Sequence, residues 1–253
     1  MNTSDNTILI TGGGSGIGRG LAEAFHALGN KVIIAGRRQK LLEEVTKANP
    51  GMASLVLDLE NAASIRSFAT ELITLHPKLN VVINNAGIMK MENLKTQLAD
   101  LADAEAIVTT NLLGPIRLTA ALLPHLLQQP KATILNVSSG LAMVPFPLAP
   151  TYSATKAAIH SYTQAMRVQL RDTAVQVIEI IPPYVQTELG GDHQLNDPRA
   201  MPLKDFLAET MELLRTQPDA VENCVENVKF LRFAEANGQF DQALQVLTQM
   251  PFE

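Results

Sequence analysis

The chain has 253 residues, enough for one large α/β domain, and its 46% hydrophobic against 18% charged residues argue against disorder. A net charge of -5 argues against a nucleic-acid partner, and Cys224, the only cysteine, excludes an intrachain disulfide. The N-terminus lacks a secretory pattern, no run approaches the ~18 apolar residues of a membrane span, and the five histidines lack metal-ligand spacing; a cytoplasmic protein with no metal and no membrane partner is expected.

In chain order, short aliphatic and β-branched runs at Thr7–Thr11, Lys31–Ala35, Ser54–Leu57, Val81–Ile83, Ala132–Val137 and Val175–Ile181 read as strands. Several are almost wholly apolar, as strands covered on both faces should be. Helical spacing fills the gaps at Gly18–Leu28, Gln39–Ala48, Ala62–Leu75, Ala102–Gln128 and Ser153–Arg171. This alternation predicts an α/β, doubly wound Rossmann-type fold: one domain, a mostly parallel sheet and helices on both faces. Glu188–Arg215 breaks the rhythm with Gly190-Gly191, Pro198 and Pro202 before a helical stretch. A further helix is expected over about Ala220–Ala236, followed by a tail ending Met250-Pro251-Phe252-Glu253.

The first strand runs into Thr11-Gly12-Gly13-Gly14-Ser15-Gly16-Ile17-Gly18 and then a helix. Glycines here permit a tight turn and close backbone approach, while free N–H groups at a helix N-terminus favour a pyrophosphate. A ligand-free glycine turn is the plainer alternative, but the motif sits in the first βα turn, where a dinucleotide site requires it. An NAD site usually carries a carboxylate at the end of strand two, on the ribose 2′-hydroxyl. This sequence has Gly36-Arg37-Arg38 there, and a guanidinium suits a 2′-phosphate, so NADP(H) is favoured over NAD(H). The alternative is that both arginines merely solvate a helix start.

Tyr152 and Lys156 stand four apart, on one face of a helix. A phenol is a poor base near neutrality, and an adjacent ammonium favours its phenolate. Ser139 precedes Tyr152 by thirteen residues at a strand end, with Ser138 one position away on the opposite strand face.

The GxxxGxG turn, Asn84-Asn85-Ala86-Gly87, Ser139 and the YxxxK pair together resemble the short-chain dehydrogenase/reductase family, over about Thr7 to Leu189. The resemblance implies an oxidoreductase moving hydride between NADP(H) and a carbonyl or secondary alcohol, with Tyr152 as acid/base and Ser139 on the substrate oxygen. Lys156 would hold the nicotinamide ribose, and Asn111 would support a water that relays protons to it, unless that side chain only bonds its own helix backbone. Gly12, Ser15, Gly16, Ile17 and Gly18 would cradle the cofactor. So would Asp58 and Leu59 at the adenine, Asn85, Ala86 and Gly87 along the cleft, and Val185 and Thr187 after strand six.

Two features depart from the family pattern. Pro182-Pro183-Tyr184-Val185-Gln186-Thr187 has proline where the family has glycine, wording similar to a bacterial subgroup named for its D-alanyl-lipoteichoic acid gene cluster. The family's last strand is not visible, which points to a homodimer built on the helices holding Asn111 and Tyr152. Glu188–Arg215 occupies the place of the substrate lid. Its stripe Leu203, Phe206, Leu207 and Leu214 is either a cover for substrate or ordinary core, and Met89, Met91 and Met143 suggest an apolar small-molecule substrate. A catalytically silent NADP-binding sensor is the alternative function.

Overall fold

The structure, a computed structural model, describes residues 1–96 and 100–249; the Met250–Glu253 ending lies outside the described residues. Seven parallel strands form one sheet in the order β3-β2-β1-β4-β5-β6-β7. They are β1 (Thr7–Thr11), β2 (Lys31–Gly36), β3 (Ala53–Val56), β4 (Val81–Asn84), β5 (Ala132–Val137), β6 (Val175–Ile180) and β7 (Glu222–Asn223). The order reverses between β1 and β4, the crevice in which doubly wound sheets bind ligands at their carboxyl ends.

Strand alternation divides the core in two. Ile8, Ile10, Val32, Ile34, Leu135 and Val137 face one side, where α1 (Gly16–Ala27), α2 (Gln39–Ala48) and α8 (Leu203–Thr216) pack. Leu9, Ile33, Val82 and Ile134 face the other, against α3 (Ala62–Leu75), α5 (Gly114–Leu126) and α6 (Pro150–Leu170). Between the layers runs a buried polar line. Asn84 Nδ2 donates to Asn136 Oδ1 (2.8 Å), and Asn136 Nδ2 to Thr163 Oγ1 on α6 (2.8 Å). It fixes the ends of β4 and β5 relative to the helix bearing Tyr152.

The expected helix 102–128 is three pieces: α4 (Ala102–Val108), a π turn (Thr109–Leu113) and α5. Residues 102–126 are long and apolar enough to cross a membrane by length and composition. In this fold, however, Ile107, Leu118, Leu122 and Leu126 are fully buried in the protein core. The helix expected at 153–171 begins earlier, at Pro150, a residue tolerated in a first turn because its missing N–H would have no partner there. Tyr152 therefore sits in the first turn of α6.

The expected helix at Ala220–Ala236 is a correction. Glu222 and Asn223 pair with Glu179 and Ile180 as β7, so a seventh strand is present. A 3-10 turn (Glu226–Val228) and the one-turn α9 (Lys229–Arg232) follow. Edge pairing and burial of Val225 and Val228 outweigh local helical spacing. The tail then forms α10 (Phe240–Thr248), whose Ala243 and Leu247 join a third cluster with Ile107, Val144, Phe146 and Tyr152.

The stripe on α8 is core. Phe206 is fully buried, Leu214 nearly so, and Leu207 lies over Gly20 of α1, where any Cβ would meet it. Phe206→Ala is expected to destabilise the fold by about 3–5 kcal/mol in denaturant unfolding, from lost burial plus a cavity.

Candidate active site

Gly12 and Gly16 adopt φ +69° and +51°, conformations that side chains rarely take, and so bend the chain from β1 into α1. Ser15, Gly16 and Ile17 begin α1 and face a cleft of about 770 Å³. Gly18 does not line it. A Cβ there would overlap the Gly12 carbonyl and the Asn85 side chain, so this glycine serves close packing. Asn85 braces the turn from β4: its Nδ2 donates to the Thr11 carbonyl (3.0 Å), while the Asn85 and Ala86 N–H groups donate to Thr11 Oγ1 (3.0 and 3.1 Å). Gly12, Asn85, Ala86 and Gly87 all line the cleft.

At one end of the cleft stand Arg37 and Arg38, with Asp58 and Leu59 after β3. The arginines differ. Arg37 is ion-paired to Glu60 (2.5 Å), which also accepts from Thr110 Oγ1 (3.2 Å). Arg38 instead donates to Ser15 Oγ (2.9 Å). Glu60 was not foreseen as a partner, since strand runs and glycines carry no signal for a long-range ion pair.

At the other end Ser139, Tyr152 and Lys156 converge. Tyr152 is 5% exposed, and the hydroxyl of Ser139 stands beside its own. Lys156 Nζ donates to the Val137 carbonyl (2.8 Å) and lies 5.5 Å from the centre of the Tyr152 ring. The expected lowering of the phenol is a correction. Burial raises Tyr152 well above its ordinary value against the opposing hydrogen bond from Ser139. Burial also pulls Lys156 down to about 8, opposed by the charge of Glu179. In both groups desolvation by burial is the larger effect, since it disfavours the charged form of each. Ser138 lines the cleft too, but its Oγ reaches only the Ile180 carbonyl, at 3.5 Å.

Asn111 lies in the π turn, 2% exposed and behind the cleft wall. Its Oδ1 accepts from the Ile88 N–H and its Nδ2 donates to the Ile88 carbonyl (both 2.9 Å), so its amide is spent on backbone of the loop after β4 and not on its own helix. Single π turns recur at functional sites, and this one aims Asn111 across to that loop.

After β6, Pro182, Pro183, Val185 and Thr187 line the cleft, with Thr187 across from Gly16. Gln194 in α7 (Asp192–Asn196), missed in the sequence, ties this wall down. Its Nε2 donates to the Val185 carbonyl (2.8 Å) and Thr187 Oγ1 (3.1 Å), and its Oε1 accepts from the Gly190 N–H (2.9 Å). The part of the lid region that reaches the cleft is therefore 188–194, not the α8 stripe. Met89 and Met91 line the cleft; Met143 does not, and packs in the core.

A doubly wound sheet with a glycine turn at its switch point defines a nucleotide-binding protein of the Rossmann class. Residues 6–197 match the short chain dehydrogenase family, and the chain belongs to that family of oxidoreductases. It is 41% identical over 190 residues to the uncharacterized oxidoreductase DltE of Bacillus subtilis, covering 75% of each chain, in line with the subgroup resemblance. It is 30% identical over 191 residues to mouse dehydrogenase/reductase SDR family member 7B, spanning 72% of this chain and 58% of that one. Among solved structures, a short chain dehydrogenase from Burkholderia cenocepacia in complex with NADP superposes with a TM-score of 0.80 at 25% identity, over 99% of this chain and 100% of that one.

Proposed function

We propose that the chain is an NADP(H)-preferring reductase of carbonyl compounds, with Tyr152 as the proton donor. One observation carries this reading: the hydroxyl of Tyr152, with Ser139 and Lys156 beside it, closes one end of a cleft whose other end holds Arg38 over the glycine turn. The cleft fits a nicotinamide dinucleotide, because Gly12 and Gly16 open the helix N-terminus where side chains would crowd a pyrophosphate, and guanidinium groups stand where strand two ends. When bound, that cofactor supplies or accepts the hydride.

The protein's own residues handle the oxygen and its proton. Ser139 Oγ hydrogen-bonds the substrate oxygen as charge develops on it. Tyr152 Oη gives that oxygen its proton, and a phenol held in its protonated form by burial is suited to an acid's role. Lys156 Nζ holds the nicotinamide ribose and offsets negative charge at Tyr152. Asn111 keeps the loop after β4 in register through Ile88. Gly12, Ser15, Gly16 and Ile17 hold the phosphates, Asp58 and Leu59 the adenine, and Val185 and Thr187 the nicotinamide side. Met89 and Met91 favour an apolar substrate.

The protein is proposed to be a single-domain cytoplasmic homodimer formed on α4 to α6, where Val108, Leu113 and Val168 are exposed. The argument from a missing last strand no longer supports this, since β7 exists.

Arg38, held among the described residues by a neutral hydroxyl alone, is the better 2′-phosphate partner; Arg37 is already paired with Glu60. Paired titrations should show tighter binding of NADPH than of NADH. Arg38→Ala should weaken NADPH by about 10- to 100-fold, the worth of charge-assisted hydrogen bonds, and leave NADH nearly unchanged. Equal binding of both cofactors by the unaltered protein would overturn the NADP assignment.

A further inference from the structure

Behind the catalytic helix lies a charge network with no place in the scheme above. Glu179 on β6 is 0% exposed, yet carries an ionisable side chain. It occupies the strand position that follows Val175 and Val177, on the face covered by α6, where an apolar residue would continue the pattern. His160 Nδ1 meets both of its carboxylate oxygens, at 2.8 and 2.9 Å. His160 stands one helical turn beyond Lys156 and two beyond Tyr152, so one stripe of α6 carries all three.

The surroundings are mixed in charge. From α6 come Lys156, His160 and Arg167; from β7 comes Glu222; from α9 comes Arg232; and Cys224 follows β7. Arg232 spans both Glu222 oxygens (2.8 Å each), and Arg167 is spent on the Val177 and Val221 carbonyls (3.2 and 2.9 Å). His160, Glu179 and Glu222 bring possible ligand atoms within 4.8 Å of one another, but the guanidinium of Arg232 already supplies the cation there. A sealed carboxylate is costly, and a burial this complete calls for a positive partner.

We propose that Glu179, clamped by His160, is a positioning residue for Lys156: a buried counter-ion that keeps its ammonium charged and in place beneath Tyr152. The direction of the electrostatics agrees, since Glu179 is the charge that opposes the loss of the Lys156 proton on burial. In a low-dielectric interior such an interaction acts over more than contact distance. The inference rests on the reading of Lys156 as a cofactor-binding group.

The test is Glu179→Gln, which keeps shape and hydrogen-bonding capacity while removing charge. With the intact full-length protein, NADPH affinity is measured across pH 6–10 by cofactor fluorescence, and the Lys156 side-chain carbon is followed by NMR without cofactor. The loss of affinity on the alkaline side, and the Lys156 titration, should both move down by about 1 pH unit or more. Glu179→Asp, which restores the charge, should recover most of the shift. A purely packing role would lower Tm without moving either curve, and unmoved curves overturn the proposal. Should Glu179→Gln fail to fold, the unaltered protein decides: the Glu179 carboxyl carbon must register the Lys156 titration step, and its silence overturns the proposal equally. A Lys156 titration that shifts while no carbonyl substrate is reduced would sink the proposed function and leave this coupling standing.

Discussion

Tyr152→Phe is expected to lower NADPH-dependent reduction of carbonyl substrates by about 10²- to 10⁴-fold, the range for losing a positioned general acid. The change deletes one oxygen and keeps the ring, which fills a cluster formed with Ile107, Val144, Phe146 and Leu247. The fold should therefore hold, with Tm nearly unchanged. NADPH affinity should also stay close to that of the unaltered protein, because the glycine turn and Arg38 lie at the far end of the cleft. Steady-state kinetics and a fluorescence titration on the same preparation check both halves. Unchanged turnover would dismiss Tyr152 as proton donor; a parallel collapse of cofactor binding would point to damage of the cleft instead.

Gly18→Ala is expected to be severe for a different reason. Gly18 has an ordinary backbone conformation, so the substitution brings no φ strain. The added carbon would instead overlap the Gly12 carbonyl and the amide nitrogen of Asn85, a side chain that is itself tied to the Thr11 carbonyl. Relief requires α1 to move away from β1 or the Gly12 turn to open. The structural cost is about 1–3 kcal/mol, as for overpacked cores. The functional cost should be larger, since any such movement shifts the N–H groups of residues 15–17: a loss of ~10-fold or more in NADPH affinity, equivalent to about 1.4 kcal/mol. Thermal unfolding and cofactor titration measure the two effects separately. Wild-type affinity in this variant would mean that the turn does not hold the phosphates.

Much of the fold could be read from residues alone because both-face burial leaves strands almost wholly apolar. Ile8–Ile10, Val32–Ile34 and Ile134–Leu135 announce themselves, and glycines mark where β1 must turn sharply. The grouping of Ser139, Tyr152 and Lys156 was equally legible, since short spacings on one helix and one strand end survive any detail of packing. What escaped the sequence depends on distant partners. Residues 220–236 look helical by spacing, yet Glu222 and Asn223 take an open sheet edge. The α8 stripe reads in sequence as either substrate cover or ordinary core, and its burial, with Leu207 over Gly20 of α1, decides for core. The pairing of Tyr152 with lysine is visible in sequence, while the depth of burial that raises its phenol is not.

The placement of α10 gives the molecule a separation of duties. Ala243 and Leu247 share an apolar cluster with Tyr152, whereas among the described residues those of the glycine turn, residues 12–17, are not members of that cluster. Substitutions in the last described stretch of chain thus bear on the packing around Tyr152 without belonging to the lining of the cleft. Under selection, the range of compounds accepted could diverge through α10 alone, with grip on the cofactor inherited unaltered.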